Sequence, residues 1–560
     1  MKEKYVLGLD YGTNSARAVV VSAKTGAEIG TAVFEYPSGE KGIILDEKNP
    51  DLARQHPWDY LQALAAIVPA ALKEAESVHG FSVDDIIGIG LDATGSTPLP
   101  VDKNGTPLAL LDDFSKNPAA MAWLWKDHTG HAEAVEITAL AEKMRPQYLA
   151  KCGGAYSSEW FWSKILYCKR SAPDVFYAAH TWVEHADWMS AVLTGTAHPE
   201  SLKRSVCAAG HKAMYHQSWG GYPDQEFLTS LDPALGRIRE TLPNRAYSIA
   251  EKAGGLTEEW ALKLGLPTGI PVAMGAIDAH MGAVGSGIQP GVLVKILGTS
   301  CCDMLVAPLE QELPDIPGLC GIVPESILPG CYGLEAGQSA VGDIFNWFVN
   351  NIRPGGEGHE SLTEKALKLK PGESGLLALD WHNGNRTVLV DQRLTGALLG
   401  MTLHTRPEEI YRALIEATAF GARVIMERFL EYGMTVDRII NCGGISGKNA
   451  LLMQIYADIM GRPLEVSRST QTCAVGAAMA GAVVAGAAAG GHANFADAAA
   501  AMSHADDKVY VPDENSSRQY NRLYALYKKL HDSFGVAGHQ DALYPVMKEL
   551  LAIRDEARQA

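Results

Sequence analysis

The chain has 560 residues, well past the roughly 250–300 at which a single hydrophobic core stops growing, so two domains are expected. Hydrophobic residues make up 47% and charged residues 20%, ordinary globular usage that excludes collagenous, coiled-coil and disordered classes. Against 65 Asp and Glu stand 48 Lys and Arg, a formal net charge of −17, so nucleic acid and anionic membrane surfaces are not expected partners and a small molecule is.

The N-terminus begins as strand and turn. YVLGLD is a β-run, YGTNS supplies turn residues, ARAVVVS is a second run, and EIGTAVFEY a third, predicting an antiparallel meander. Leu61, Leu64, Ile67, Val68, Ala71 and Leu72 recur at three and four spacing, predicting a helix over about 58–78. IIGIGLD, ending at Asp92, reads as a buried strand, and the mixture defines an α/β layered domain. Residues 113–259 hold Trp123, Trp125, Trp160, Trp162, Trp182, Trp188 and Trp219 and read as helices with irregular insertions, the aromatics mostly in the core.

Near residue 290 the opening pattern returns. LGLDYGTNSARAVV and VKILGTSCCDMLV each set a Gly-Thr pair and a Ser between two β-runs, which predicts two related halves, each presenting a hairpin tip to one cleft. A helix over 407–432, a strand RIINC, the turn GGISGKN and the helix LLMQIYADIMG follow. The domains are set at 1–284 and 285–560, with a compact hinge around Gly282 to Gly291. The uncharged run Cys473–Gly490 reaches the length of a membrane span, but its Ala and Gly content predicts a buried, closely packed helix instead. Nine cysteines without CxxC spacing read as reduced thiols, and MKEKYVLGLDYG is too short in apolar residues for a secretory signal, so a cytoplasmic location is expected.

Three motifs carry chemistry. At Asp10-Tyr11-Gly12-Thr13-Asn14-Ser15-Ala16-Arg17 a glycine permits close approach, amides and hydroxyls of Thr13 and Asn14 suit phosphate oxygens, Arg17 adds positive charge, and Asp10 can hold Mg²⁺. Gly298-Thr299-Ser300 repeats the tip. Gly443-Gly444-Ile445-Ser446-Gly447-Lys448-Asn449 follows a strand and opens a helix, an anion- or nucleotide-accepting geometry that is neither a Walker A loop nor a GxGxxG fingerprint. Asp278, read between two glycine-rich turns at the domain boundary, is placed to take the proton of an attacking alcohol. His180 and His185 lack ligand spacing and no HExxH or GxSxG occurs, so neither a zinc site nor a serine hydrolase is predicted.

On DYGTNSAR, WLWKDHTG, DWMSAVLTG, GAIDAHMGAVG, LGTS and GGISGKNALLMQIYADIMGRPLEV, the chain resembles the FGGY carbohydrate kinase family over nearly its whole length. The resemblance implies the duplicated ribonuclease H-like, actin-like ATPase fold, with ATP and Mg²⁺ bound across a cleft. HPWDY, LDATGSTPLPVD, CGGAYSSEWFWSKILYCKR, AAGHKAMYH and GLEAGQSAVGDIFNWF are similar to the family branch that converts L-ribulose to L-ribulose 5-phosphate in arabinose breakdown. It implies Asp278 as catalytic base, Asp10, Gly12, Thr13 and Asn14 as the first phosphate hairpin and Gly298, Thr299 and Ser300 as the second. Asp10 and Asp278 would hold the metal, and Gly443, Gly444 and Asn449 the adenine side. Thr94, Gly95 and Ser96, with Lys212 and Glu335, would meet the sugar, Lys203 lying near Lys212 in sequence. It also suggests a homodimer. Trp125-Lys126-Asp127-His128 departs from the family's WxDxR, having no Arg there. The rival readings are a kinase for D-ribulose, xylulose or glycerol, and a non-catalytic actin-like ATPase module.

Overall fold

A computed structural model describes residues 2–559. Its first half is built on β1 (Tyr5–Tyr11), β2 (Ser15–Ser22), β3 (Glu28–Glu35), β4 (Ile86–Ala93), β5 (Lys252–Gly255) and β6 (Pro271–Ala273), in the sheet order β5-β6-β4-β1-β2-β3. β1 to β3 are the expected meander, and α1 (Pro57–Ala75) carries the chain across to β4, parallel to β1. Every residue of β1 is buried, as a strand covered on both faces requires.

The second half uses β7 (Val292–Leu297), β8 (Cys301–Pro308), β9 (Gly321–Pro324), β10 (Cys331–Gln338), β11 (Arg438–Cys442) and β12 (Leu464–Val466), in the order β9-β10-β8-β7-β11-β12. The run β10-β8-β7-β11-β12 repeats β3-β2-β1-β4-β6 strand for strand. In each, the central strand pairs antiparallel with its hairpin partner and parallel with the crossover strand. The similarity of the two hairpin motifs thus extends to a duplicated sheet.

Five helices matter for the site: α2 (Val206–Lys212), α3 (Asp278–Gly285), α4 (Pro407–Glu431), α5 (Ala450–Met460) and α6 (Thr472–Ala485). α6 is the first part of the Ala/Gly run, and it lies buried on the first sheet. A Cβ at Gly8 or Gly90 would come within 1.9 or 1.8 Å of the Ala474 or Ala477 carbonyl oxygen, so glycines in the strands admit the helix. α3 crosses α6 as closely: a Cβ at Gly476 would lie 1.9 Å from the Met281 oxygen, and one at Gly285 2.0 Å from that of Thr472. One apolar cluster, including Val6, Met281, Val294, Met304 and Val475, spans both sheets and both helices.

That crossing corrects the sequence reading of the hinge. Gly282 and Gly285 are helical and serve close packing, so the non-helical connection is only residues 286–291, and Asp278 opens a helix instead of lying between two turns. Most of the tryptophans are core as expected; Trp123, Trp162, Trp182 and Trp188 are at most 2% exposed. Helix α7 (Glu514–Gly535), the last but one, packs Tyr520, Tyr524 and Tyr527 against Phe420 of α4, within its own half. Among the described residues no helix is long and apolar enough to cross a membrane.

Candidate active site

A cavity of about 590 Å³ opens between the halves, lined by Thr13, Gly95, Trp125, Trp160, Lys212, Asp278, His280, Gly298, Thr299, Ser300, Glu335 and Arg386, among others. The first hairpin enters it from one side. Gly12 N–H donates to the Ser15 carbonyl at 2.9 Å, closing the tip. Thr13 Oγ1 accepts from Trp125 Nε1 at 3.0 Å, while Asn14 turns outward, its amide on the Lys41 carbonyl at 2.7 Å. Arg17 Nε lies 3.3 Å from Asp10 Oδ2, and the two face each other in the β1–β2 register.

Asp10 is aligned on the parallel neighbour with Asp92, a residue the sequence marks only as strand. Asp92 is fully buried and neither of its oxygens has a donor. Burial lifts Asp10 above the usual carboxylate range despite Arg17, and burial with Asp10 and Asp278 nearby lifts Asp92 further. Asp278 opens α3 with Oδ1 accepting from Ala279 N–H at 2.7 Å; burial, then the Asp10 charge, pushes it up to about 7. Of the three carboxyls only Asp92 is without a donor and only Asp278 lines the cavity; carboxylate oxygens suit a hard cation, so the residues fit Mg²⁺.

The second hairpin faces them. Gly298 N–H donates to the Ser300 carbonyl at 2.9 Å, repeating the first tip's closure. The Gly443 turn backs onto this strand, where a Cβ would stand 2.4 Å from the Leu297 oxygen. Gly444 is exposed, and Asn449 caps α5, its Oδ1 accepting from Leu452 N–H at 3.0 Å. This turn is adjacent to the cavity without being part of its lining.

Elsewhere on the cavity wall, Lys212 from the end of α2 reaches Glu335 of β10 at 2.8 and 3.0 Å, and both are buried. Burial would raise Glu335, but Lys212, His211 and His280 hold it well below the ordinary range. Lys203 instead lies near the surface on the Lys252 carbonyl. Of the triplet, only Gly95 lines the cavity; Thr94 Oγ1 meets Thr97 Oγ1 at 3.0 Å, and Ser96 Oγ donates to Glu184 at 3.0 Å. The departure at Trp125–His128 is resolved through space: the buried Asp127 pairs with Arg54, whose guanidinium lies 3.4 Å over the Trp123 ring. Sequence reading also missed Arg386, 3.4 Å from Glu159. Both face the cavity, Arg386 from a segment with no motif and Glu159 from within the CGGAYSSEWFWSKILYCKR run.

The N-terminal domain model of the FGGY family of carbohydrate kinases matches residues 5–285 and the C-terminal domain model residues 293–485. The chain therefore belongs to the FGGY family of carbohydrate kinases. A protein named ribulokinase from Geobacillus thermodenitrificans is 44% identical, covering 100% of this chain and 99% of its own length. Another of that name from Vibrio parahaemolyticus is 41% identical, over 94% of this chain and 95% of its own. Among solved structures, a xylulose kinase from Rhodospirillum rubrum superposes with a TM-score of 0.74 at 21% identity, covering 97% of this chain and 100% of its own. A gluconate kinase from Lactobacillus acidophilus does so at 0.76 and 19%, covering 96% and 99%. The fold is the duplicated ribonuclease H-like, actin-like ATPase fold, and the chain is a sugar kinase.

Proposed function

We propose that the chain is a cytoplasmic, ATP- and Mg²⁺-dependent kinase converting L-ribulose to L-ribulose 5-phosphate, with Asp278 as general base. The observation that carries this reading is the convergence on one cavity of Asp278, the Gly298–Ser300 tip and the Lys212–Glu335 pair. It is supported by 44% full-length identity to a protein named ribulokinase. Glu335 accepts from sugar hydroxyls and Lys212 donates to them, while the missing Cβ of Gly95 admits the Ile277 side chain, which a Cβ would meet at 2.5 Å.

The terminal hydroxyl faces Asp278, which takes its proton as the oxygen attacks the γ-phosphorus and the bond from that phosphorus to the β,γ-bridging oxygen breaks, releasing ADP. Backbone amides at Thr13 and at Thr299–Ser300 cradle the phosphates, the Gly12 and Gly298 amides being used to close the two tips, with Arg17 adding charge, and the Gly443, Gly444 and Asn449 turn borders the adenine side. Asp10 and Asp278, with Asp92 behind them, would hold Mg²⁺, which supplies charge neutralisation at the β- and γ-phosphate oxygens. Closure of the halves, divided near residue 285, keeps water from the γ-phosphate. Thus an acidic chain holds a polyanion by local amides and cations.

A coupled ADP-release assay with L-ribulose, D-ribulose, D-xylulose and glycerol, with and without Mg²⁺, tests this. The highest kcat/KM belongs to L-ribulose and requires the metal; a higher value for another sugar, or sugar-independent turnover, overturns it.

A further inference from the structure

Three side chains from distant segments converge beside the sugar pocket: His211 at the end of α2, His280 in α3 and Glu335 in β10. All are at most 6% exposed. Their ligand atoms lie within 4.8 Å of one another. His211 Nδ1 is 3.2 Å and His280 Nε2 3.4 Å from Glu335 Oε2. Tetrahedral zinc with bonds of about 2.0–2.1 Å sets its ligand atoms about 3.3 Å apart, so both separations are edges of such a tetrahedron.

The protons agree. Ser326 Oγ lies 3.0 Å from the Val323 carbonyl and 2.9 Å from His211 Nε2; with its hydroxyl donated to the carbonyl it accepts the ring N–H. In that tautomer His211 Nδ1, which has no hydrogen-bond partner, turns a lone pair to the carboxylate, an arrangement that a cation between them would stabilise. Ser326 also plays the outer-shell part that fixes the tautomer and orientation of a metal-bound imidazole. Neither ring nitrogen of His280 has a hydrogen-bond partner.

We propose that His211 Nδ1, His280 Nε2 and Glu335 Oε2 form a zinc-class transition-metal site, distinct from the Mg²⁺-nucleotide site, with its fourth position open to the cavity. Two imidazoles and one carboxylate suit Zn²⁺ and are a poor set for Mg²⁺. Lys212 is the opposing cation, 3.0 Å from the same Oε2 and 2.8 Å from Oε1. Metal entry leaves it on Oε1 alone. Because Glu335 is also the proposed sugar acceptor, bound Zn²⁺ competes with the ketose and not with ATP, a consequence that rests on the function proposed above.

The test is a Co²⁺ titration of the metal-free full-length enzyme, read by visible absorption without sugar or nucleotide, so it stands apart from the ketose reading. One equivalent should give the intense bands of tetrahedral Co²⁺ and be displaced by Zn²⁺. His211→Gln and His280→Gln should abolish the bands. Lys212→Met should tighten Co²⁺ binding by about tenfold or more through removal of the adjacent charge, a gain that misfolding cannot imitate. Absence of the bands, their persistence in both Gln variants, or weaker binding in Lys212→Met overturns the site.

Discussion

The two hairpins share a fold but dispose of their charges differently. In the first, Asp10 faces Arg17 in register, two residues before the Gly12 turn, and its parallel neighbour is the unpartnered Asp92. In the second, Lys295 faces Asp303 in register, three residues before the Gly298 turn, and its parallel neighbour is Asn441. The Lys295–Asp303 pair is wholly buried, with Cys301 Sγ also donating to Asp303 Oδ1 at 3.3 Å and Asp303 Oδ2 left without a partner. One copy of the hairpin thus sets a buried carboxyl against Arg17 and beside the unpartnered Asp92, and the other pairs its charge in the core; on the function proposed above, the second would offer backbone to the phosphates. On the proposed function, duplication supplies two phosphate tips of which only one stands beside the acid chemistry.

The largest expected break in this division is at Asp278, the third carboxyl of the acidic side. Asp278→Asn should lower kcat by a factor on the order of 10²–10⁴, the usual worth of a general base, in the ADP-release assay. Next is the closed pair: Lys295→Met leaves Asp303 buried and alone, which should cost about 3–5 kcal/mol in urea unfolding, while adding Asp303→Leu should restore much of the loss. A smaller effect is on pH. With Asp278 lifted to about 7 in the free enzyme, kcat/KM should fall roughly tenfold per unit as pH drops below that value.

The smallest effect concerns stability. Asp10, Asp92 and Asp278 all have folded values above their unfolded ones. The folded state therefore binds more protons, and the ligand-free protein should lose stability as pH rises from about 4 toward 7. Asp92→Asn should flatten that decline in thermal unfolding across the range, and an unchanged slope would remove Asp92 from the cluster.

Both hairpins, α4 and α5 were legible because continuous apolar runs, turn residues and helical spacing are local signals. Glycine misled where its purpose was packing: Gly282 and Gly285 read as turn residues yet let α3 cross α6. Asp92 was invisible because its meaning lies in a parallel register with β1, which no local pattern encodes. Arg54 reaching Asp127, and His211, His280 and Glu335 meeting, are likewise products of tertiary convergence. Side chains at predicted site positions were not all free for ligands, since Ser96 and Asn449 spend theirs on Glu184 and a helix cap.

The most direct test of the division between the halves is a calorimetric ADP titration of two variants side by side, Asp278→Asn and Gly298→Val. A Cβ at Gly298 meets nothing closer than the Ser300 oxygen at 3.8 Å, so valine folds there and fills the space of the phosphate. The account predicts that Asp278→Asn binds ADP as the parent does while Gly298→Val loses at least about tenfold, or 1.4 kcal/mol, in affinity. Lost affinity in the first with normal affinity in the second would contradict it.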